Sequence, residues 1–245
     1  MRCTIALAIT LTVTAALADT ATIGALKDNT LFEGAGGFLS NGAGDYMFAG
    51  VTNQPEEDST RRAIMAFNIA SAVPAGATIN SVSLRLYMSR TNSVGTPMPL
   101  HRVLADWGEG QSNAPGGEGG GTIATNGSVT WLFTHYNTQS WANPGGDFVS
   151  TPSGSTVVDQ AGFYTWSDPG MVADVQAWLD NPAQNFGWIL LGDESGPAGT
   201  AKRFSTRENS NSSQRPRLVI DYTPVPAPAA AAPLLLAVFA ARRRR

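Results

Sequence analysis

The chain has 245 residues, including 26 glycines and 15 prolines, and this turn-rich composition favours many short strands over long helices. Without Arg2 and the four arginines at the C-terminus, 11 basic residues stand against 19 acidic ones, a net charge of −8. Such a charge argues against a nucleic-acid partner, because binding phosphates requires a basic surface.

The first 18 residues have the pattern of a secretory signal peptide. Arg2 supplies a positive start, residues 5–17 form an apolar stretch, and Ala16, Leu17 and Ala18 form a small-x-small cleavage site. We therefore expect cleavage between Ala18 and Asp19. Cys3 is the only cysteine and lies inside this segment, so the exported protein would contain no disulfide.

Alternation of apolar and polar residues predicts strands along the rest of the chain. The clearest is 78–88, where Val82, Leu84, Leu86 and Met88 share one face. The same alternation predicts a strand at 62–69, with the turn around Gly76 joining the two. Further strands are predicted at 21–26, 46–51, 99–105, 129–133, 163–166, 186–191, 203–206 and 217–222.

One segment, 168–180, has helical periodicity. Asp168 is a candidate N-cap, Pro169 suits the first turn, and Val175, Trp178 and Leu179 fall on one face. Residues 108–127 contain eight glycines and few apolar residues, which predicts a long mobile loop. Together these elements predict one domain, 19–223, that is all-β: an antiparallel β-sandwich, jelly-roll-like, with roughly ten strands and one short helix.

Several segments occur in the order and spacing of a known bacterial and archaeal module. They are RRAIMAFNI at 61–69, VPAGATI at 73–79, SLRLY at 83–87, DWGE at 106–109, Trp141 with GGD at 145–147, VADVQAW at 172–178, NFGWI at 185–189, FSTRE at 204–208 and RPRLVIDY at 215–222. This series resembles the DNRLRE domain. The resemblance implies a secreted β-sandwich. Domains of this family commonly accompany polysaccharide-acting enzymes, and some of these domains bind carbohydrate.

The C-terminal segment, 224–245, has three parts. A proline-spaced motif (Val225, Pro226, Ala227, Pro228) precedes the apolar stretch 229–241, and Arg242, Arg243, Arg244 and Arg245 end the chain. The apolar stretch is shorter than the about 20 residues of a full membrane span, and arginines are retained on the cytoplasmic side of membranes.

This order resembles the PEP-CTERM sorting signal of Gram-negative bacteria. The resemblance implies cleavage by an exosortase after transient association with the inner membrane, followed by release or transfer of the protein to the cell surface or extracellular matrix. Ala227 departs from the pattern, in which an acidic residue is usual, and this leaves the sorting enzyme open. A plain C-terminal anchor or a basic tail is the alternative.

The common catalytic signatures are missing from the sequence. It has no nucleophile elbow, no H-E-x-x-H zinc motif and no Walker motif. His101 is expected on a solvated strand face, and nothing in the spacing of Glu109, Asp147 and Glu194 selects a pair for glycoside cleavage. We therefore expect no enzyme, with a polysaccharide-degrading hydrolase or lyase as the alternative.

Two candidate ligand sites remain. Trp107 and Trp141 adjoin glycine-rich stretches that could leave their rings uncovered for stacking on sugars, with Asp147 as a hydrogen-bonding partner. The alternative is that these rings fill the core, because large aromatic side chains are mostly buried. Asn41 and Asp45, in a short polar glycine-rich run, are candidates for a structural calcium site.

The sequence thus predicts a non-catalytic exported protein of the cell surface or extracellular matrix that binds polysaccharide. The competing function class is the polysaccharide-degrading enzyme.

Overall fold

The computed structural model describes residues 17–53, 59–195 and 198–226. In these ranges the chain forms one α-helix, α1 (Pro169–Asp180), and fifteen strands. The strands are β1 (Asp19–Gly24), β2 (Lys27–Phe32), β3 (Leu39–Ser40), β4 (Tyr46–Val51), β5 (Thr60–Ala66), β6 (Thr78–Thr91), β7 (Thr96–Arg102), β8 (Thr122–Ile123), β9 (Phe133–His135), β10 (Gln139–Ser140), β11 (Gly154–Val158), β12 (Gly162–Trp166), β13 (Trp188–Leu190), β14 (Lys202–Ser205) and β15 (Arg217–Thr223).

The strands pair antiparallel, and thirteen of them form two faces of one curled sheet, whereas β9 and β10 form a separate two-stranded sheet. The first face has the order β1-β15-β6-β14-β4, with β12 also paired to β6, and the second has the order β5-β13-β7-β11. β4 pairs with the start of β5 and so joins the two faces, while β2 occupies the other edge of β5. The predicted all-β antiparallel sandwich with one helix is confirmed.

The core between the two faces follows from the alternation in β6. Val82, Leu84, Leu86 and Met88 are all buried, whereas the alternate side chains of β6 point outward. Opposite them pack side chains of β5, β7 and β13, and Trp188 lies with its ring centroid 4.6 Å from that of Trp178 of α1. This cluster, the sandwich core, is the main hydrophobic core of the domain.

Strand β5 is buried on both of its faces. Ala63 and Met65 point into the sandwich core, and the residues between and after them, Ile64 and Ala66, point into a second apolar cluster. This outer cluster consists of Leu31, Ile64, Ala66, Val103, Trp107, Val129, Trp131, Trp141 and Ile189. The segment between β7 and β11, which is largely irregular, therefore covers the outside of the second face. The alternation of residues in β5 predicted only one buried face for this strand, so the second buried face was not expected.

The helix has the predicted position, with Asp168 at the N-cap and Pro169 in the first turn. Met171, Val175 and Trp178 bury one side of α1 in the sandwich core. Asp168 makes no side-chain capping bond; its Oδ2 instead accepts a hydrogen bond from the backbone N–H of Ser155 at 3.2 Å. Among the described residues, no helix reaches the length and hydropathy needed to span a membrane.

Several predicted strands match closely and others do not. The prediction for 46–51 coincides with β4, and that for 217–222 is one residue short of β15. The predicted strand at 129–133 is wrong, since pairing begins only at Phe133. β2 and β11 were not predicted, and the two-residue strands β3, β8 and β10 are too short for any periodicity to show.

The sandwich core predicts a sharp contrast between neighbouring positions of β6. Leu84→Ala should lower the free energy of unfolding by about 2–5 kcal/mol, because it leaves a cavity between tightly packed faces. Ser83→Ala, the matched control, changes an outward side chain of the same strand and should have little effect. Urea denaturation of both variants measures this, and equal losses would contradict the assignment of the two faces.

Candidate functional site

The two candidate sugar-stacking tryptophans are buried. Trp107 is 1% exposed and its indole N–H donates to the carbonyl of Phe186 at 2.9 Å, while Trp141 is 6% exposed and donates to the carbonyl of Thr130 at 3.0 Å. The expectation that glycine-rich loops leave these rings uncovered is wrong. They fill the outer cluster instead, as the alternative had it, because the segment after β7 folds back over β5.

Asp147 closes its own loop rather than facing a ligand. Its carboxylate accepts hydrogen bonds from the backbone N–H groups of Ala142 and Asn143, at 2.7 and 3.0 Å, and from the Asn143 side chain at 2.8 Å. These three bonds hold the turn that follows Trp141. The structure therefore does not join Asp147 and an uncovered tryptophan ring into one sugar site.

Asn41 also has a structural role. Its side-chain amide donates to the Tyr46 carbonyl at 2.9 Å and to Glu118 Oε2 at 2.8 Å, and its oxygen accepts from the N–H of Ala114 at 2.8 Å. Asp45 contributes its backbone N–H to Glu118 Oε1 at 3.2 Å. These bonds attach the glycine-rich segment to the sandwich, so the expectation of a mobile loop does not hold there.

The other residues considered as catalytic candidates do not lie together in one site. His101 is buried, with Nδ1 2.8 Å from the Val149 carbonyl oxygen, so its expected solvated position is wrong. Glu194 pairs with Arg62 through two bonds of 2.7 and 2.8 Å, whereas Glu109 lies beside Arg207. The three acids considered for glycoside cleavage therefore each have their own, different partners.

Three carboxylates from distant parts of the chain meet at one place. Asp28 of β2, Glu109 of the segment after β7 and Glu208 after β14 each offer an oxygen, and these oxygens lie within 4.8 Å of one another. We call this group the carboxylate cluster. Spacings of 81 and 99 residues give no sequence signal for it.

Burial and mutual repulsion raise the pKa values in the carboxylate cluster. Burial, followed by the charge of Glu208, raises the pKa of Asp28 well above its ordinary value. Burial and the charge of Glu109 raise the pKa of Glu208 from 4.5 to about 7, although Arg207 opposes this rise. Burial also raises the pKa of Glu109. The cluster thus holds its negative charges at a cost in free energy.

A second charged surface lies on the outside of the first face. Arg85 and Arg217 are directly opposite each other on β6 and β15, and Arg90 and Arg203 are opposite each other on β6 and β14. Within the described ranges, none of these four arginines has a carboxylate within 4.0 Å. The ion pairs found in those ranges use Lys27, Arg62, Arg102 and Arg207 instead. We call this surface the arginine face.

Aromatic rings accompany the arginines. The Arg85 guanidinium lies 4.6 Å from the ring centroid of Phe163, which is 48% exposed and packs 4.9 Å from the ring of Tyr87. The Arg203 guanidinium lies 3.8 Å from the ring centroid of Tyr46. The arrangement presents flat apolar rings and hydrogen-bond donors on the same surface.

An open groove of about 400 Å³ borders the arginine face. Arg90, Arg203, Asn53 and Asn92 supply polar groups to its walls, and the remaining lining residues are Phe48, Thr52, Thr91, Pro115, Gly117, Glu118, Gly119, Gly120, Gly199 and Ala201. Both Glu118 oxygens accept hydrogen bonds from the segment 41–46. Glu118 is therefore already hydrogen-bonded within the protein, while Arg90 and Arg203 supply guanidinium donors to the groove.

Comparison with known proteins does not identify a family for this chain. No family model matches the chain, and a search of curated proteins found no match.

Burial of Trp107 gives a direct test of the outer cluster. Trp107→Ala should lower the free energy of unfolding by about 3–5 kcal/mol, because it removes a large ring and leaves the Phe186 carbonyl without its donor. Ile123→Ala, at an exposed position of the same segment, should change it by less than about 0.5 kcal/mol. Thermal melts measure both, and an unchanged melting temperature for Trp107→Ala would contradict the burial.

Proposed function

We propose that the protein is a non-catalytic, exported protein of the cell surface or extracellular matrix that binds polysaccharide through the arginine face and its groove. The observation that carries this proposal is the four arginines that have no ion-pair partner in the described ranges and share one sheet face. Carboxylate or sulfate groups on the polysaccharide are the ligands that such a surface fits.

Folding alone does not account for this placement of charge. Like charges directly opposite each other on antiparallel strands destabilise a sheet, and here two such pairs occur: Arg85 with Arg217, and Arg90 with Arg203. A bound anion would relieve both repulsions. Guanidinium groups are suited to this because they bind carboxylates and sulfates with two parallel hydrogen bonds.

The shape of the surface fits a chain molecule better than a small one. Arg85 and Arg90 are five positions apart on β6, at most about 17 Å at 3.4 Å per residue. The register shift between β6 and β14 next to Arg90 lets both side chains point outward despite this odd spacing. The exposed ring of Phe163 can stack on the apolar face of a sugar, while the groove is open rather than enclosed. An extended polysaccharide could contact both at once.

The export part of the proposal concerns the two ends of the chain. The folded domain supports it, since β1 begins at Asp19, directly after the expected cleavage site, and β15 ends at Thr223, before the proline-spaced motif. Val225 and Pro226 are described, whereas Ala227, Pro228 and Arg242–Arg245 lie outside the described residues. An exosortase-type enzyme remains the proposed processing partner, with a DNRLRE-like domain as its cargo.

The arginine face gives a binding prediction. Uronic-acid oligosaccharides should bind in 0.15 M salt, and neutral glucose oligosaccharides of the same length should bind at least about tenfold more weakly, because a charge-assisted bond contributes about 1.5–3 kcal/mol. Arg85→Gln and Arg203→Gln should each weaken binding about tenfold without lowering the melting temperature. Isothermal titration calorimetry and thermal melts measure these effects.

Arg102→Gln is the matched control, because it removes the same charge from β7, where Arg102 pairs with Asp174 at 3.3 Å. It should leave oligosaccharide affinity unchanged. Equal affinity for acidic and neutral oligosaccharides, or equal loss in the control, would rule out the arginine face. Release of new chain ends from the oligosaccharides during incubation would instead favour the polysaccharide-degrading enzyme.

The sorting proposal predicts a defined mature mass. The extracellular form should begin at Asp19 and should lack Arg242, Arg243, Arg244 and Arg245, because processing near the proline-spaced motif removes the apolar stretch and the arginines. Intact-mass spectrometry of the protein from the cell surface or medium measures this. Recovery of surface protein that still carries Arg245 would contradict exosortase-type processing.

A further inference from the structure

We propose that the carboxylate cluster of Asp28, Glu109 and Glu208 is a binding site for a divalent cation of the calcium type. The proposal is independent of polysaccharide binding. It also places the cation away from Asn41 and Asp45, the residues from which the sequence predicted a calcium site.

The geometry of the three side chains suits one ion. Their nearest carboxylate oxygens lie within 4.8 Å of one another, and calcium binds oxygen at about 2.3–2.6 Å. Two oxygens on opposite sides of a calcium ion are therefore about 5 Å apart. The three oxygens are therefore close enough together for one ion to contact all of them.

Unsatisfied oxygens point to a missing ligand. Asp28 is fully buried, and its Oδ1 has no hydrogen-bond partner among the described residues; Glu208 Oε2 is likewise buried without a partner. The other Asp28 oxygen, Oδ2, accepts a hydrogen bond from the backbone N–H of Arg207 at 2.8 Å, and this bond holds the carboxylate in place. A buried carboxylate oxygen without a partner is costly, and a cation would satisfy it.

The neighbouring cations do not balance the cluster. The Arg207 guanidinium lies 3.0 Å from Glu208 Oε1 and 3.3 Å from Glu109 Oε2, and it is the only guanidinium within 4.0 Å of these acids in the described ranges. Lys27, next to Asp28 in sequence, directs its ammonium to Asp106 and the Trp107 carbonyl. Three carboxylates against one arginine leave a charge of about −2 if all are ionised, which one divalent cation neutralises.

The chemistry of the donors selects the kind of cation. All three ligands are carboxylates, and hard cations such as calcium and magnesium prefer oxygen, whereas zinc and copper favour histidine and cysteine. The three side chains come from a strand and two irregular segments, which suits the variable coordination of calcium better than the strict octahedron of magnesium.

A bound cation would cross-link three separate parts of the fold. Asp28 lies on β2, Glu109 lies in the segment that covers β5, and Glu208 follows β14 of the first face. Glu109 already contacts β2 through two hydrogen bonds, from the backbone N–H of Asp28 to its Oε1 at 2.9 Å and from the Asn29 side-chain amide to its carbonyl oxygen at 2.6 Å. The ion would therefore stabilise the attachment of the covering segment to both faces of the sandwich.

The test compares calcium with chelator in the purified full-length protein. Calcium at about 100 times its dissociation constant should raise the melting temperature by about 5–10 °C relative to EDTA, with magnesium giving a smaller rise. Asp28→Asn and Glu208→Gln should abolish this rise. In EDTA both variants should melt at or above the parent temperature, because each removes a repelling charge.

The EDTA measurement separates a cation site from a merely structural ion network. If Asp28 serves only to bind Arg207, then Asp28→Asn melts below the parent in EDTA and calcium has no effect on either protein, which would refute the proposal. Asp45→Asn is the matched control and should keep the full calcium response. Loss of the response in Asp45→Asn, with retention in Asp28→Asn, would likewise refute the site at the carboxylate cluster.

Discussion

The segment between β7 and β11 packs against the outside of β5. The outer cluster, the carboxylate cluster and one wall of the groove all depend on this packing. Strands at the surface of a sandwich normally bury one face, but Ile64 and Ala66 of β5 are as buried as Ala63 and Met65. Trp107, Trp131 and Trp141 are among the side chains of the outer cluster that cover them. The same segment carries Glu109 into the carboxylate cluster and Glu118 to the wall of the groove, so the cluster and one wall of the groove depend on its position.

Charge is distributed very unevenly over this acidic domain. Arginines without an ion-pair partner in the described ranges are grouped on the outside of the first face, while three carboxylates share one arginine where β2, the covering segment and the chain after β14 meet. Neither arrangement benefits folding, since like charges are brought together in both. A domain with a net charge of −8 can thus present a basic surface on one side and a strongly acidic recess elsewhere.

The sequence predicted the parts of the fold in which side-chain alternation decides burial. β6 shows this, because Leu84 and Leu86 face the core while Arg85 and Tyr87 face outward. β2 could not be predicted in this way, since Asp28, Asn29 and Thr30 are polar and yet fully buried. Their burial depends on hydrogen bonds to segments far along the chain, such as that from the Asn29 amide to the Glu109 carbonyl.

The candidate sites were less accessible to sequence reasoning than the fold. Glycines next to Trp107 and Trp141 indicated open loops, but the same glycines let the backbone approach closely: a Cβ on Gly108 would lie 1.8 Å from the Gly127 carbonyl oxygen. The arginine face arises from pairing between β6, β14 and β15. Its members are therefore 113 or more residues apart across each pair, and only the register brings them together.

The position of β15 determines how the domain would respond to a mechanical load at its C-terminal end. β15 lies between β1 and β6, with six residue pairs on one side and seven on the other. Tension applied beyond Thr223 along the strand axis must shear both ladders together, because neither edge of β15 is free to peel. A domain tethered through this strand would therefore resist extraction from a surface by flow or by a moving partner.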